Sequence, residues 1–282
     1  MNEDAIVSPE WLAEHRDDPD VVVVDVRDAW EYDGIGHVPG AVNVPYDAIR
    51  AEEHAAEGAE DGADESASES VESGRAGMLP GADTFATLMG EAGITREDTV
   101  VAYDDHHGVF AARLLVTALL YGHPPEHLRL LDGDYSAWTR EHPASTETPD
   151  VAATTYEVTD PEHDPLVDIE AVEEAVDDPD VVVVDTRSPE EYAEGHIPGA
   201  VNFDWREVVD EETRGLRPAD VVRDVLAEKG IVPEKRVVLY CNTARRISHT
   251  YVVLRHLGYE DVDFYEGSLT EWKREGRPLV SE

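Results

Sequence analysis

The sequence predicts an α/β protein in which one domain, a mainly parallel sheet flanked by helices, is written twice. Three observations carry that prediction: a repeated valine run, a repeated turn segment, and strand and helix signals alternating around both. Residues 21–27 read VVVVDVR and residues 181–187 read VVVVDTR, identical at six of seven positions. Residues 36–43 read GHVPGAVN and residues 195–202 read GHIPGAVN, identical at seven of eight. Val100-Val101-Ala102-Tyr103 matches Val237-Val238-Leu239-Tyr240, and Gly133 and Trp138 match Gly267 and Trp272 at the same spacing.

The second copy gives the elements in order. Val181 to Val184 is an unbroken apolar run, the signature of a strand covered on both faces. Ser188-Pro189 followed by two glutamates starts a capped helix over 189–194. Ile197-Pro198-Gly199 is a turn, and Ala200 to Phe203 a short strand. Val221, Val222, Val225 and Leu226 recur at helical spacing within 218–229. Val237 to Tyr240 is a second buried strand, and Ile247, Tyr251, Leu254 and Leu257 predict a helix over 247–257. Val262 to Tyr265 is a third strand. Strands alternating with helices give a parallel sheet, and ligands of such sheets sit beyond the carboxyl ends of the strands.

The chain has 282 residues, enough for two domains of ordinary size, and 41% of them are hydrophobic. The offset between the copies falls from 159 at Gly40/Gly199 to 137 at Tyr103/Tyr240, so the first copy carries 22 extra residues. Residues 51–74 supply them, with nine Asp/Glu among Ala, Gly and Ser and no aromatic, and the composition of 51–78 reads as a disordered acidic insertion. Pro143, Pro149, Pro161 and Pro165 mark 143–165 as a linker. The expected layout is therefore a first domain over 1–142, a linker over 143–165 and a second domain over 166–282.

Charge excludes whole classes of partner. Asp and Glu number 64 against 22 Lys and Arg, a formal net charge of -42. Such a surface repels phosphate backbones and anionic lipid, so neither nucleic acid nor a membrane surface is an expected partner. The acids run along the whole chain, and only Lys229, Lys235 and Lys273 are lysines. Acid-rich, lysine-poor surfaces are those of salt-loving organisms, where molar salt shortens the Debye length to ~3 Å and screens the self-repulsion. The chain is accordingly expected to be halophilic. Met1-Asn2-Glu3-Asp4 has no basic region with an apolar stretch after it, and no apolar run approaches the ~18 residues of a membrane span, so a cytoplasmic location is expected.

Cys241 is the lone cysteine, which rules out an intrachain disulfide and a cysteine-rich metal site. It follows a buried strand and precedes a helix, in VVLY-CNTARR-ISHTYVVLRHLG. The N–H groups of such a loop turn inward, a helix N-terminus adds partial positive charge, and Arg245 and Arg246 add two full charges. All three favour thiolate over thiol. A free cysteine commonly packs inertly in a core, but these neighbours are polar and basic in a very acidic chain. His249, on the following helix, is expected at the helix surface; the adjacent pair His106-His107 lacks a third ligand, so no metal or other cofactor is expected.

On these residues the chain resembles the tandem-domain rhodaneses, the thiosulfate sulfurtransferase family. The resemblance is carried by Asp185-x-Arg187-x-x-x-Glu191-Tyr192, by Gly195-His196-Ile197-Pro198-Gly199-Ala200, by the Cys241 loop, and by Gly267 to Trp272. It spans both copies, outside the insertion and linker. It implies two tandem rhodanese-like domains, with Cys241 as the nucleophile that carries sulfur as a persulfide and Arg246 stabilising the anion. Asn242, Thr243, Ala244 and Arg245 would line the substrate. Asp185 and Arg187 would support the site, and His196, repeated as His37, reads as structural. Related phosphatases use a longer Cys-x5-Arg loop, whereas Cys241 to Arg246 spans six residues, the sulfurtransferase spacing. In the first copy Asp104 stands where Cys241 stands in the second, so that domain is expected to be inactive. The resemblance also implies that a first-domain arginine, here Arg113, helps hold the anionic donor. The implied activity is thiosulfate:cyanide sulfurtransfer, with a small anionic sulfur donor and a protein sulfur acceptor as partners. 3-Mercaptopyruvate sulfurtransfer and a persulfide relay to a protein acceptor are the alternatives.

Overall fold

The structure is a computed structural model describing residues 1, 4–51 and 79–281. The acidic insertion expected over 51–78 lies, after its first residue, outside the described residues. Each copy builds one wholly parallel sheet. In the first, strands β1 (Ile6–Val7), β2 (Val21–Asp25), β3 (Val42–Asn43), β4 (Thr99–Tyr103) and β5 (Leu128–Leu131) lie in the order β1-β5-β4-β2-β3. Helices α1 (Pro9–His15), α2 (Ala29–Gly34), α3 (Ala82–Glu91), α4 (Val109–Leu120) and α5 (Asp134–Glu141) connect them.

The second copy repeats the plan. It runs α6 (Ile169–Ala175), β6 (Val181–Asp185), α7 (Pro189–Glu194), β7 (Val201–Asn202), α8 (Ala219–Glu228), β8 (Arg236–Tyr240), α9 (Arg245–His256), β9 (Val262–Phe264) and α10 (Ser268–Arg274). The strand order is β7-β6-β8-β9, and a parallel bridge from Leu166 to Phe264 takes the place that β1 holds in the first copy. The two repeated valine runs are β2 and β6, each paired with the central strand that leads into a loop of interest: Val21 to Asp25 against Thr99 to Tyr103, and Val181 to Asp185 against Arg236 to Tyr240. α7 begins as its sequence requires, with Pro189 at its first turn and Ser188 and Glu191 exchanging hydrogen bonds in a capping box.

Each sheet is covered on both faces. The outer faces hold smaller clusters, around Trp138 in the first copy and Trp272 in the second. The inner faces merge into a single core that includes residues of both copies, with α4 packed against α9. Eleven of the twelve residues of α4 are buried, because its own sheet lies on one side and the other copy on the other. Truncating Leu114 or Leu115 to alanine there costs about 2–5 kcal/mol.

Residues 143–165 hold neither helix nor strand, but they bond along the first copy. Ser145 and His37 exchange backbone hydrogen bonds, Thr154 bonds to Gly90 and Ile94, and Thr159 donates to the Tyr121 carbonyl. Gly122 shows how close the strap lies: its φ is +82°, and a Cβ there would meet Thr159 Oγ1 at 2.3 Å. Among the described residues, no helix is long and apolar enough to cross a membrane.

Candidate active site

The repeated Asp-x-Arg motifs fix the strand ends before either loop. Arg187 donates to both carboxylate oxygens of Asp185 and, from Nη2, to the Gly195 carbonyl at 2.7 Å. Arg27 makes the same bonds to Asp25 and to Gly36. The Tyr240 hydroxyl accepts from the Ile197 N–H, as the Tyr103 hydroxyl accepts from Val38. His196 and His37 stack on Tyr192 and Tyr32. Asp185, Arg187 and His196 thus clamp the turn after α7 to the end of β6 in a brace that both copies share.

Cys241 follows β8 directly and is 2% exposed. Its N–H donates to Ser268 Oγ at 3.2 Å and its carbonyl accepts from Leu269, so the start of α10 holds its backbone from both sides. Ala244 takes a left-handed conformation, φ 61°, the geometry that lets the loop turn into α9. Its counterpart before α4 is Gly108, φ 82°, which adopts it without a Cβ penalty. Both sit at the N-cap of a twelve-residue helix whose first N–H groups have no acceptor within the helix.

The charged loop residues meet specific partners. Arg246 pairs with Glu191 Oε2 at 2.5 Å, and Asn242 Nδ2 donates to Glu191 Oε1 at 3.0 Å. Burial raises the Glu191 carboxyl, but the bonds from Arg246, Ser188 and Asn242 outweigh it and leave it below the usual carboxylate range. The Arg245 guanidinium lies over the Phe110 ring of the first copy, 4.8 Å from its centroid. Arg113 also crosses between the copies, but it meets Glu266: both terminal nitrogens bond both oxygens, at 2.8 and 2.6 Å, and the side chain is 1% exposed. Thr243 is half-buried at the loop apex. Tyr46 stands within electrostatic reach of Arg50, Arg245, Arg113 and Cys241.

The first copy shows what such a loop binds. Asp104 is buried, and its Oδ1 accepts from the N–H groups of His106 and Gly108 while Oδ2 accepts from Phe110 and Ala111, at 2.6–3.0 Å. The loop is an anion cradle filled by its own carboxylate. Burial pushes that carboxyl above its ordinary range, against the pull of the four N–H groups. Arg214 of the second copy closes the loop from outside, bonding both oxygens of Asp134 and the Asp105 carbonyl.

Two placements differ from the sequence expectation or escape it. His249 is buried rather than at a helix surface, edge-on to Trp205 and beside His107, because α9 is covered by the other copy on the face that would otherwise meet water. Glu266, Phe110 and Tyr46 carry no motif signal, and Ser268, inside the Gly267 to Trp272 segment, is singled out only by the repeat alignment, which sets it opposite Asp134.

Comparisons with known proteins agree with this architecture. The chain is 32% identical over 282 residues to a thiosulfate sulfurtransferase of Pseudomonas aeruginosa, covering 95% of this chain and 93% of that protein. It is 31% identical to a putative thiosulfate sulfurtransferase of Haloferax volcanii and 31% identical to the sulfur carrier protein TtuD of Thermus thermophilus, each over 95% of this chain and 93% of the relative. In fold it matches the anaerobic ergothioneine biosynthesis enzyme of Chlorobium limicola, solved with trimethyl histidine, at a TM-score of 0.80 and 22% identity, over 99% of this chain and 70% of that one. The rhodanese-like domain model matches twice, over residues 8–141 and 168–275, and the chain belongs to the rhodanese-like family.

Proposed function

We propose that the protein is a sulfurtransferase that takes the outer sulfur of thiosulfate onto Cys241 and passes it to a thiophilic acceptor, cyanide in an assay. The observation that carries this reading is the pair of loops: where the first copy places a carboxylate under four N–H donors, the second places a thiol at the start of the same strand-to-helix turn. A thiolate there is a nucleophile, and a persulfide carries its charge one atom further into the loop. The relatives named as thiosulfate sulfurtransferases support the choice of donor.

The thiolate of Cys241 attacks the outer sulfur of thiosulfate. A new sulfur–sulfur bond forms, the donor's own sulfur–sulfur bond breaks, and sulfite leaves with the electron pair. The backbone of Asn242, Thr243 and Ala244 and the N-terminus of α9 hold the terminal sulfur's charge, as oxyanion holes hold oxygen. Arg245 and Arg246 supply positive charge, Arg246 being anchored through Glu191. Arg113, matched by Glu266, holds the two copies together behind the site. Cyanide then attacks the outer sulfur, leaves as thiocyanate and restores the thiolate. Asp104 cannot carry sulfur, so the first domain forms no persulfide. The kinship to a sulfur carrier protein favours a protein acceptor as a second reading of the last step.

Intact-protein mass spectrometry after incubation with thiosulfate tests this. One added sulfur on the wild type, lost again to cyanide and never gained by Cys241→Ser, is the expected result. Equal sulfur uptake by Cys241→Ser would overturn the assignment.

A further inference from the structure

We propose that the inactive loop of the first copy is the donor-selectivity wall of the Cys241 site, and that Phe110 acts as a positioning residue that aims the Arg245 guanidinium at a dianionic donor. This rests on the sulfurtransferase reading above and adds a residue to it.

Three observations combine. First, the cations near Cys241 are not equally available. Among the described residues, Arg246 faces Glu191 and Arg113 faces Glu266, while no carboxylate stands against Arg245. Its partner is instead the Phe110 ring, 4.8 Å away. A carboxylate cancels a cation's charge; an aromatic face attracts the cation and leaves its charge whole. Second, the ring itself is fixed. Tyr46 packs edge-on at 4.6 Å and His106 at 5.1 Å, and the Phe110 N–H is bonded to Asp104 Oδ2 at 2.7 Å. The carboxylate that fills the first loop therefore locks the residue that steers the second. Third, Phe110 is the second residue of α4, and the second residue of α9 is Arg246. Where the active copy has an arginine paired with its own Glu191, the inactive copy presents a ring to Arg245 of its neighbour.

Without the ring, Arg245 would hang on a flexible stem over a chain of net charge -42, where surface carboxylates compete for it. Held over Phe110, it meets an incoming donor with its full charge, and the attraction scales with the donor's charge. The effect falls on donor binding, since the ring touches no reacting atom.

The test is steady-state kinetics of the full chain with thiosulfate, a dianion, and methanethiosulfonate, a monoanion, on Phe110→Leu, Phe110→Tyr, Arg245→Gln and the double variant Phe110→Leu/Arg245→Gln. Phe110→Leu is expected to raise KM for thiosulfate about three- to tenfold, with kcat little changed and a smaller rise for the monoanion. Phe110→Tyr is expected to restore the wild-type KM. The double variant is expected to be no worse than Arg245→Gln, because Phe110 acts through Arg245. Phe110→Leu with an unchanged thiosulfate KM, or fully additive losses in the double variant, would overturn the inference while leaving the sulfur-transfer reading in place. A wild type that gains no sulfur from thiosulfate would overturn both.

Discussion

The loops after β4 and β8 start from one plan and reach opposite states. In the first copy the anion is covalently part of the chain: Asp104 occupies the cradle, and Arg214 from the other copy shuts it. In the second the same position holds a single sulfur, with the oxygen of Ser268, not a carboxylate, touching its backbone. The spacing differs too. Helix α4 begins five residues after Asp104 and α9 four residues after Cys241. The comparison teaches that an anion-binding turn becomes a structural brace once its ligand is built in, and that the braced copy then serves as a wall for the other.

The fifth residue of each helix extends the comparison. In α4 it is Arg113, which crosses to Glu266 beside the cysteine loop; in α9 it is His249, which meets His107 beside the carboxylate loop. Glu266→Gln should break the first contact and have the largest effect. It leaves a buried guanidinium without its charge partner, a loss of about 3–5 kcal/mol by urea unfolding. A loss under about 1 kcal/mol would show that the two copies do not depend on this pair.

The second contact titrates. Burial, with the neighbouring His107, lowers the His249 pKa from 6.5 to about 4. The unfolded chain takes up a proton as pH falls through 6.5, and the folded chain does not until about 4. The stability of neutral His249 is therefore complete above pH 6.5, declines by about 3 kcal/mol on the way to pH 4, and is level below. His249→Phe should flatten that decline in unfolding midpoints measured between pH 7 and 4; an unchanged slope would place the acid sensitivity elsewhere.

The smallest effect sharpens the comparison of the loops themselves. Asp104→Asn keeps the shape but withdraws one oxygen acceptor from the cradle, and should cost about 1–3 kcal/mol. Cys241→Ser, at a side chain with no hydrogen bond to lose among the described residues, should cost less in the same unfolding measurement, within about 1 kcal/mol. Equal losses would mean that both loops are braced alike.

Much of this is legible in the sequence. The valine runs place β2 and β6 to the residue expected at their start, because strands covered on both faces leave an uninterrupted apolar signal. The capped start of α7 was equally plain, since Ser188, Pro189 and Glu191 act within one turn. Apolar spacing predicts the helix after the cysteine loop from Ile247, but it begins at Arg245, because its first two residues are polar and carry no apolar signal. His249 misled for a related reason. Ser248, His249 and Thr250 are polar, yet all three are buried in a helix packed against α4.

By itself the sequence determined the duplication, the wholly local motifs and the position of the single thiol, because those follow from neighbours along the chain. Only the tertiary structure decided which charges remain available around that thiol. Glu191 takes Arg246 from 55 residues away, Glu266 takes Arg113 from 153, and Phe110 receives Arg245 across the boundary between the copies. Such pairings have no period and no local propensity. The first needs the second copy folded, which brings the α7 turn to the start of α9; the other two also need α4 and α9 packed against each other, so they appear only once both copies are docked.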